Sequence, residues 1–107
     1  MRVLTIYISG PISGLPDGNR PAFAAVSATL RSWGWNVVNP HELFNAEVEE
    51  SWEGYMRKDL AALLTCTHIV MLPGWEQSRG ARLEKTVADA VGILLLTLPS
   101  DEEEDPF

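Results

Sequence analysis

Hydrophobic and polar positions along the chain alternate between two periods, and the switches between them outline the elements. Residues 3–9, VLTIYIS, are a short β-branched apolar run, as expected of a strand buried on both faces. Pro21 suits a first helical turn, and Phe23, Val26, Leu30 and Trp33 then recur at helical spacing until Gly34. The segment WNVVNP, residues 35–40, reads as a second strand closed by Pro40. A polar connection containing HELFN follows, up to Ser51, a residue suited to cap a helix. Trp52, Tyr55, Met56, Leu60, Leu63 and Leu64 form the stripe of that second helix. HIVMLP is a third strand, GWEQSRG a loop, residues 78–91 a third helix, and ILLLTL, after Gly92, a fourth strand.

Strands alternating with helices predict a parallel sheet with right-handed crossovers. The expected architecture is a small α/β flavodoxin-like or Rossmann-like three-layer sandwich with a parallel sheet of about four to five strands, in one domain over residues 1–98. In the strand order 2-1-3-4, strands one and three send their crossovers to opposite faces, and a ligand crevice opens beyond their carboxyl ends. The loops that fall there, GPISG and PGWEQSRG, are rich in residues that let a backbone approach a ligand closely.

Composition narrows the partners. With 46% hydrophobic and 21% charged residues, the 107-residue chain has an ordinary globular composition, and no apolar run nears the roughly 20 residues of a membrane span. The strand begins so soon after Met1 that no secretory leader is expected, and the predicted location is cytoplasmic. The single cysteine, Cys66, excludes an internal disulfide and reads as a small core hydrophobe. A net charge of −7 argues against binding long nucleic acid, although the acidic tail, residues 99–107, contributes and is expected to be solvated.

Two carboxylates break the helical patterns. At 100° per residue Gly80, Ala81, Glu84, Val87, Ala88 and Val91 share one helical face, with Glu84 near its centre. Burying an unpaired charge costs several kcal/mol, so Glu84 must be paired, raised in pKa or turned into a cavity. The alternatives are a structural salt bridge or a helix of different phase. Asp59 lies at the edge of the second stripe, where Arg57, Lys58 or Arg31 would serve as an ion-pair partner. Together the two acids suit glycosidic-bond chemistry, which uses one carboxyl as nucleophile or base and another as proton donor.

The segments YISGPISG, MRKDLAALLTC and IVMLPGWEQSRGARLE, in this order, resemble the nucleoside 2-deoxyribosyltransferase superfamily, most closely its short, often phage-encoded and uncharacterised branch. The resemblance implies a Rossmann-like domain that cleaves or exchanges the N-glycosidic bond of a 2′-deoxynucleoside or its 5′-monophosphate. By the same resemblance Glu84 is the nucleophile that forms a covalent deoxyribosyl-enzyme, Asp59 contacts the base or assists its protonated departure, and Tyr7 orients the nucleophile. Ser78 matches a serine that receives a 5′-phosphate, and Gly10 and Gly14 line the sugar site. Pro11, Ile12 and Gly80 complete the expected substrate-binding set. The chain departs from the family at Thr67, where members often carry an acid, and in a last strand that gives way directly to PSDEEEDPF. The likeness also implies a homodimer or higher oligomer.

Other candidates are weaker. Trp75 is a candidate for stacking on a base, although a loop tryptophan more simply packs; Trp33, Trp35 and Trp52 read as core or interface residues. Arg79 and Arg82 would add charge at an anion site on the third helix, or remain surface residues. His41 and His68 lack metal-ligand spacing, so neither metal nor organic cofactor is expected. The expected function is glycosidic cleavage or base exchange; the alternatives are a nucleotide-binding or sensing module without chemistry, and an N-glycosidase for another nucleotide.

Overall fold

Successive side chains of the first strand divide the core in two. In a computed structural model, which describes residues 3–44 and 50–98, β1 (Thr5–Ser9) sends Ile6 and Ile8 to one face of the sheet and Tyr7 to the other. Ile6 and Ile8 pack with Phe23 and Leu30 of α1 (Arg20–Ser32), and with Val70 and Leu72. Tyr7 packs with Leu63 at the end of α2 (Trp52–Leu63), with Ala88 of α3 (Arg79–Val91), and with Cys66, Ile69 and Ile93. One helix therefore covers one face and two helices the other, the three layers expected.

The sheet is parallel throughout, in the order β2-β1-β3-β4, with β2 at Asn36–Val38, β3 at His68–Met71 and β4 at Leu94–Leu95. Tyr7 pairs with Val38 on one side and Ile69 on the other, which puts β1 and β3 at the centre. Helices in such a sheet run against the strands, so their amino ends gather at the strands' carboxyl ends. Two of these ends carry the caps their sequences call for: Ser51 accepts from the Gly54 N–H and Ser78 from the Ala81 N–H.

Several elements are shorter than their apolar runs. The second strand ends early because Asn39 caps a 3₁₀ turn at Pro40–Glu42. The fourth covers two residues of ILLLTL, since it lies at the sheet edge with one neighbour; Leu94 and Leu95 are exposed, while Leu96 and Leu98 fold back onto the α1 side. Trp33 falls beyond the α1 stripe and is 55% exposed, and Leu64 and Val91 are likewise exposed at helix ends. Trp35 does reach the core. The acidic tail at 99–107 and part of the polar connection, 45–49, lie outside the described residues.

Candidate active site

The carboxyl ends of β1 and β3 and the amino ends of α2 and α3 enclose a cleft of about 1190 Å³. Gly10, Pro11 and Ile12 line it after β1, and Pro73 and Gly74 after β3. Asp59 lines it from α2, and Ser78, Gly80 and Glu84 from the α3 side. The crevice is where a parallel sheet with this strand order places it.

Glu84 is the most constrained side chain of the cleft. It is 4% exposed. The Tyr7 hydroxyl donates to its Oε2 at 2.6 Å, and the Ser9 hydroxyl donates to its Oε1 at 2.6 Å. Tyr7 and Ser9 sit two residues apart on β1, so both project to the α3 side, and both are fully buried. Among the described residues Glu84 has no cationic partner, which removes the salt-bridge reading. Hydroxyls do what a cation would otherwise do.

Asp59 is more deeply placed than its edge position suggests, at 6% exposed. Of the cations expected to neutralise it, Arg31 pairs with Glu42 and Lys58 with Glu50, and Arg57 is exposed. Its carboxyl instead lies beside that of Glu84, and its Oδ1 has no partner among the described residues. Burial first, then the negative charge of Glu84 and hydrogen bonding toward it, push Asp59 up to about 7. Burial also raises Glu84, but hydrogen bonds from Ser9, Tyr7 and Asp59 pull it back. The hydrogen bonds that Glu84 accepts favour its charged form, whereas burial and the charge of Glu84 favour the protonated form of Asp59. Tyr7, raised by burial and by Glu84, stays a neutral donor.

One wall of the cleft is aromatic. Trp52, Phe44 and Tyr55 line it; Phe44 and Tyr55 meet edge to face at 4.6 Å, and the Arg79 guanidinium lies 3.8 Å over the Trp52 ring. Trp52, Tyr55 and Met56 of the helical stripe all border the cleft, and Met56 is also buried in the core. They occupy the start of α2, where that helix forms the wall. Gly80 allows this approach, since a Cβ there would stand 3.2 Å from Met56 Sδ. A Cβ on Gly10 would meet Leu72 Cβ at 2.7 Å, so that glycine serves strand packing as well as the open floor.

The structure thus brings Glu84, Asp59 and Tyr7 together, with Gly10, Pro11, Ile12, Ser78 and Gly80 around them. Gly14 and Trp75 do not line the cleft: Gly14 supplies a left-handed turn with φ +81°, and Trp75 is half-buried in a 3₁₀ turn. Arg82 is exposed away from it. Thr67 lies at the far end of the sheet, where its Oγ1 accepts from the Thr5 N–H and donates to the Thr5 carbonyl, each at 3.1 Å. Ser9 escaped the sequence reading, although its two-residue spacing from Tyr7 was a signal for it. Among the described residues no His, Cys, Asp and Glu cluster could hold a metal ion, and no helix is long and apolar enough to cross a membrane.

Residues 4–97 match the model of a family described as Domain of unknown function (DUF4406). No curated protein matches the chain. Among solved structures, a 2-desoxiribosyltransferase from Leishmania mexicana is similar with a TM-score of 0.68 at 24% identity, over 92% of this chain and 65% of that one. A conserved protein from Enterococcus faecalis V583 has a TM-score of 0.67 at 20% identity, over 97% and 68% of the two chains. The chain thus spans slightly less than two thirds of the Leishmania protein, and at these identities the likeness is one of fold.

Proposed function

The chain belongs to the DUF4406 family, and from that premise we propose that it cleaves or exchanges the N-glycosidic bond of a 2′-deoxynucleoside or its 5′-monophosphate. One observation carries the reading: Glu84, held by two hydroxyls, faces a cleft beside a carboxyl whose proton is available near neutral pH. The fold shared with a deoxyribosyltransferase supports it.

In the first step a lone pair of a Glu84 oxygen forms a bond to C1′ as the C1′–N bond breaks. Its electron pair goes to the base, which takes the proton of Asp59. Positive charge that develops on the sugar faces the Glu84 carboxylate. In the second step water, or the nitrogen of another base, attacks C1′ and the electron pair of the C1′–O bond returns to Glu84. The proton of the incoming nucleophile passes to Asp59, which restores the site. Hydrolysis and transfer differ in that nucleophile alone.

The flanking residues suit such a substrate. Trp52, Phe44 and Tyr55 offer aromatic faces to a base. Ser78 and the amino end of α3 favour an anionic group, with Arg79 adjacent. The test is chromatographic turnover of deoxynucleosides and their 5′-monophosphates, with and without added free base, alongside Glu84→Ala. Base release or exchange that vanishes in the variant is expected. Absence of both for every substrate overturns the reading.

A further inference from the structure

Ser9 is a polar residue where the packing calls for an apolar one. It ends the central strand β1, is fully buried, and has its backbone carbonyl engaged by the Leu72 N–H at 2.8 Å. A hydroxyl buried in such a place is unfavourable unless it is hydrogen-bonded. Its partner is Glu84 Oε1, at 2.6 Å. Tyr7 holds Oε2, so each oxygen of the carboxylate has its own donor from the same strand.

We propose that Ser9 is a positioning residue for Glu84: with Tyr7 it fixes the plane of the carboxylate and keeps one hydroxyl on each of its oxygens. The inference rests on the glycosidic reading above only for its consequence in turnover. Two donors on two oxygens prevent rotation of the carboxylate about its terminal torsion, which a single donor permits. Each oxygen retains lone pairs beyond the one its hydroxyl engages, so nucleophilicity toward C1′ survives. In the sugar ester, the oxygen not bonded to C1′ still accepts a hydroxyl. When that ester breaks, the charge returning to Glu84 is received by donors already in place, without reorganisation. The Ser9 proton stays on Ser9 throughout.

The groups facing Glu84 are Tyr7 and Ser9 from β1 and Asp59 from α2. Ser9 is the leading hydrogen-bond influence that favours the ionised form of Glu84. Its removal therefore disfavours ionisation, an effect that a merely structural serine does not produce.

The experiment is a pH titration of Glu84 by carbon NMR, using glutamate labelled at the carboxyl carbon, with the resonance assigned by its loss in Glu84→Gln. The wild type and Ser9→Ala are compared, together with their pH–rate profiles and melting temperatures. In Ser9→Ala the Glu84 titration should rise by about half a unit or more. The acid limb of kcat/KM should move up by the same amount, and kcat should fall about 10-fold with KM little changed. If Ser9→Ala does not fold, Ser9→Gly removes the same hydroxyl and carries the same expectation. An unchanged Glu84 titration in a folded variant overturns the proposal. If the wild type releases no base the glycosidic reading falls, and the titration still decides the role of Ser9.

Discussion

The Tyr7 hydroxyl donates to Glu84 Oε2 at 2.6 Å, although the two residues stand 77 positions apart in the sequence. The contact joins the central strand to α3 and holds the carboxylate proposed as the nucleophile. Tyr7→Phe should leave the core filled and remove one donor from the carboxylate. Turnover should fall about 10- to 100-fold, equivalent to about 1.4–3 kcal/mol of transition-state stabilisation. Parallel measurements of kcat and melting temperature check it; a fall in stability without a change in kcat contradicts the catalytic placement.

Glu84→Gln separates chemistry from folding. The buried carboxylate has hydroxyl and carboxyl partners but no cation among the described residues, so its ionised form is held at a cost. A neutral amide of similar shape removes that cost and the proposed nucleophile together. Turnover should vanish while the melting temperature stays level or rises. Unfolding of the variant at room temperature would show that the carboxylate is needed for structure.

Asp59 makes stability depend on pH in a definite sense. Its carboxyl is pushed from 3.8 to about 7 by burial and by Glu84. The folded state therefore holds a proton that the unfolded chain has already lost between these values, and stability falls as pH rises through that window. Glu84, also raised, acts in the same direction. Asp59→Asn should gain on the wild type from about pH 4 to 7 and hold a constant advantage above it. At about 1.4 kcal/mol per unit the ceiling is on the order of 4–5 kcal/mol. Urea unfolding of both proteins at pH 5 and pH 8 measures it, and equal differences at the two values contradict the shift.

Gly10 is predicted to tolerate no side chain. Its Cβ would lie 2.7 Å from Leu72 Cβ, so the ends of β1 and β3 would have to separate. Gly10→Ala should cost about 1–3 kcal/mol. Adding Leu72→Ala should not restore stability, because the clashing Cβ remains. Thermal unfolding of the single and double variants tests the point; recovery in the double variant would place the conflict farther out on the leucine.

The layers and the order of their elements are legible in one dimension. Period-2 and period-3.6 runs, punctuated by Gly34, Pro40, Ser51 and Gly92, suffice to place four strands and three helices, and the handedness of crossovers restricts how the sheet winds; the order β2-β1-β3-β4 is one of the windings it allows. The sequence also marked Glu84, because a carboxylate amid Ala81 and Ala88 on one helical face is visible in one dimension. Which groups meet that carboxylate is a matter of packing between elements. Tyr7, Ser9 and Asp59 come from two other elements, and a hydrogen bond at 2.6 Å depends on how strand and helix faces register across the core. Exposure followed the same division. Trp33 and Leu64 continue apolar stripes but fall beyond the covering layer, whereas Asp59 at a stripe's edge is buried at the wall of the cleft. Periodicity records the direction in which a side chain leaves its own element; the length and packing of the opposing element determine what it finds there.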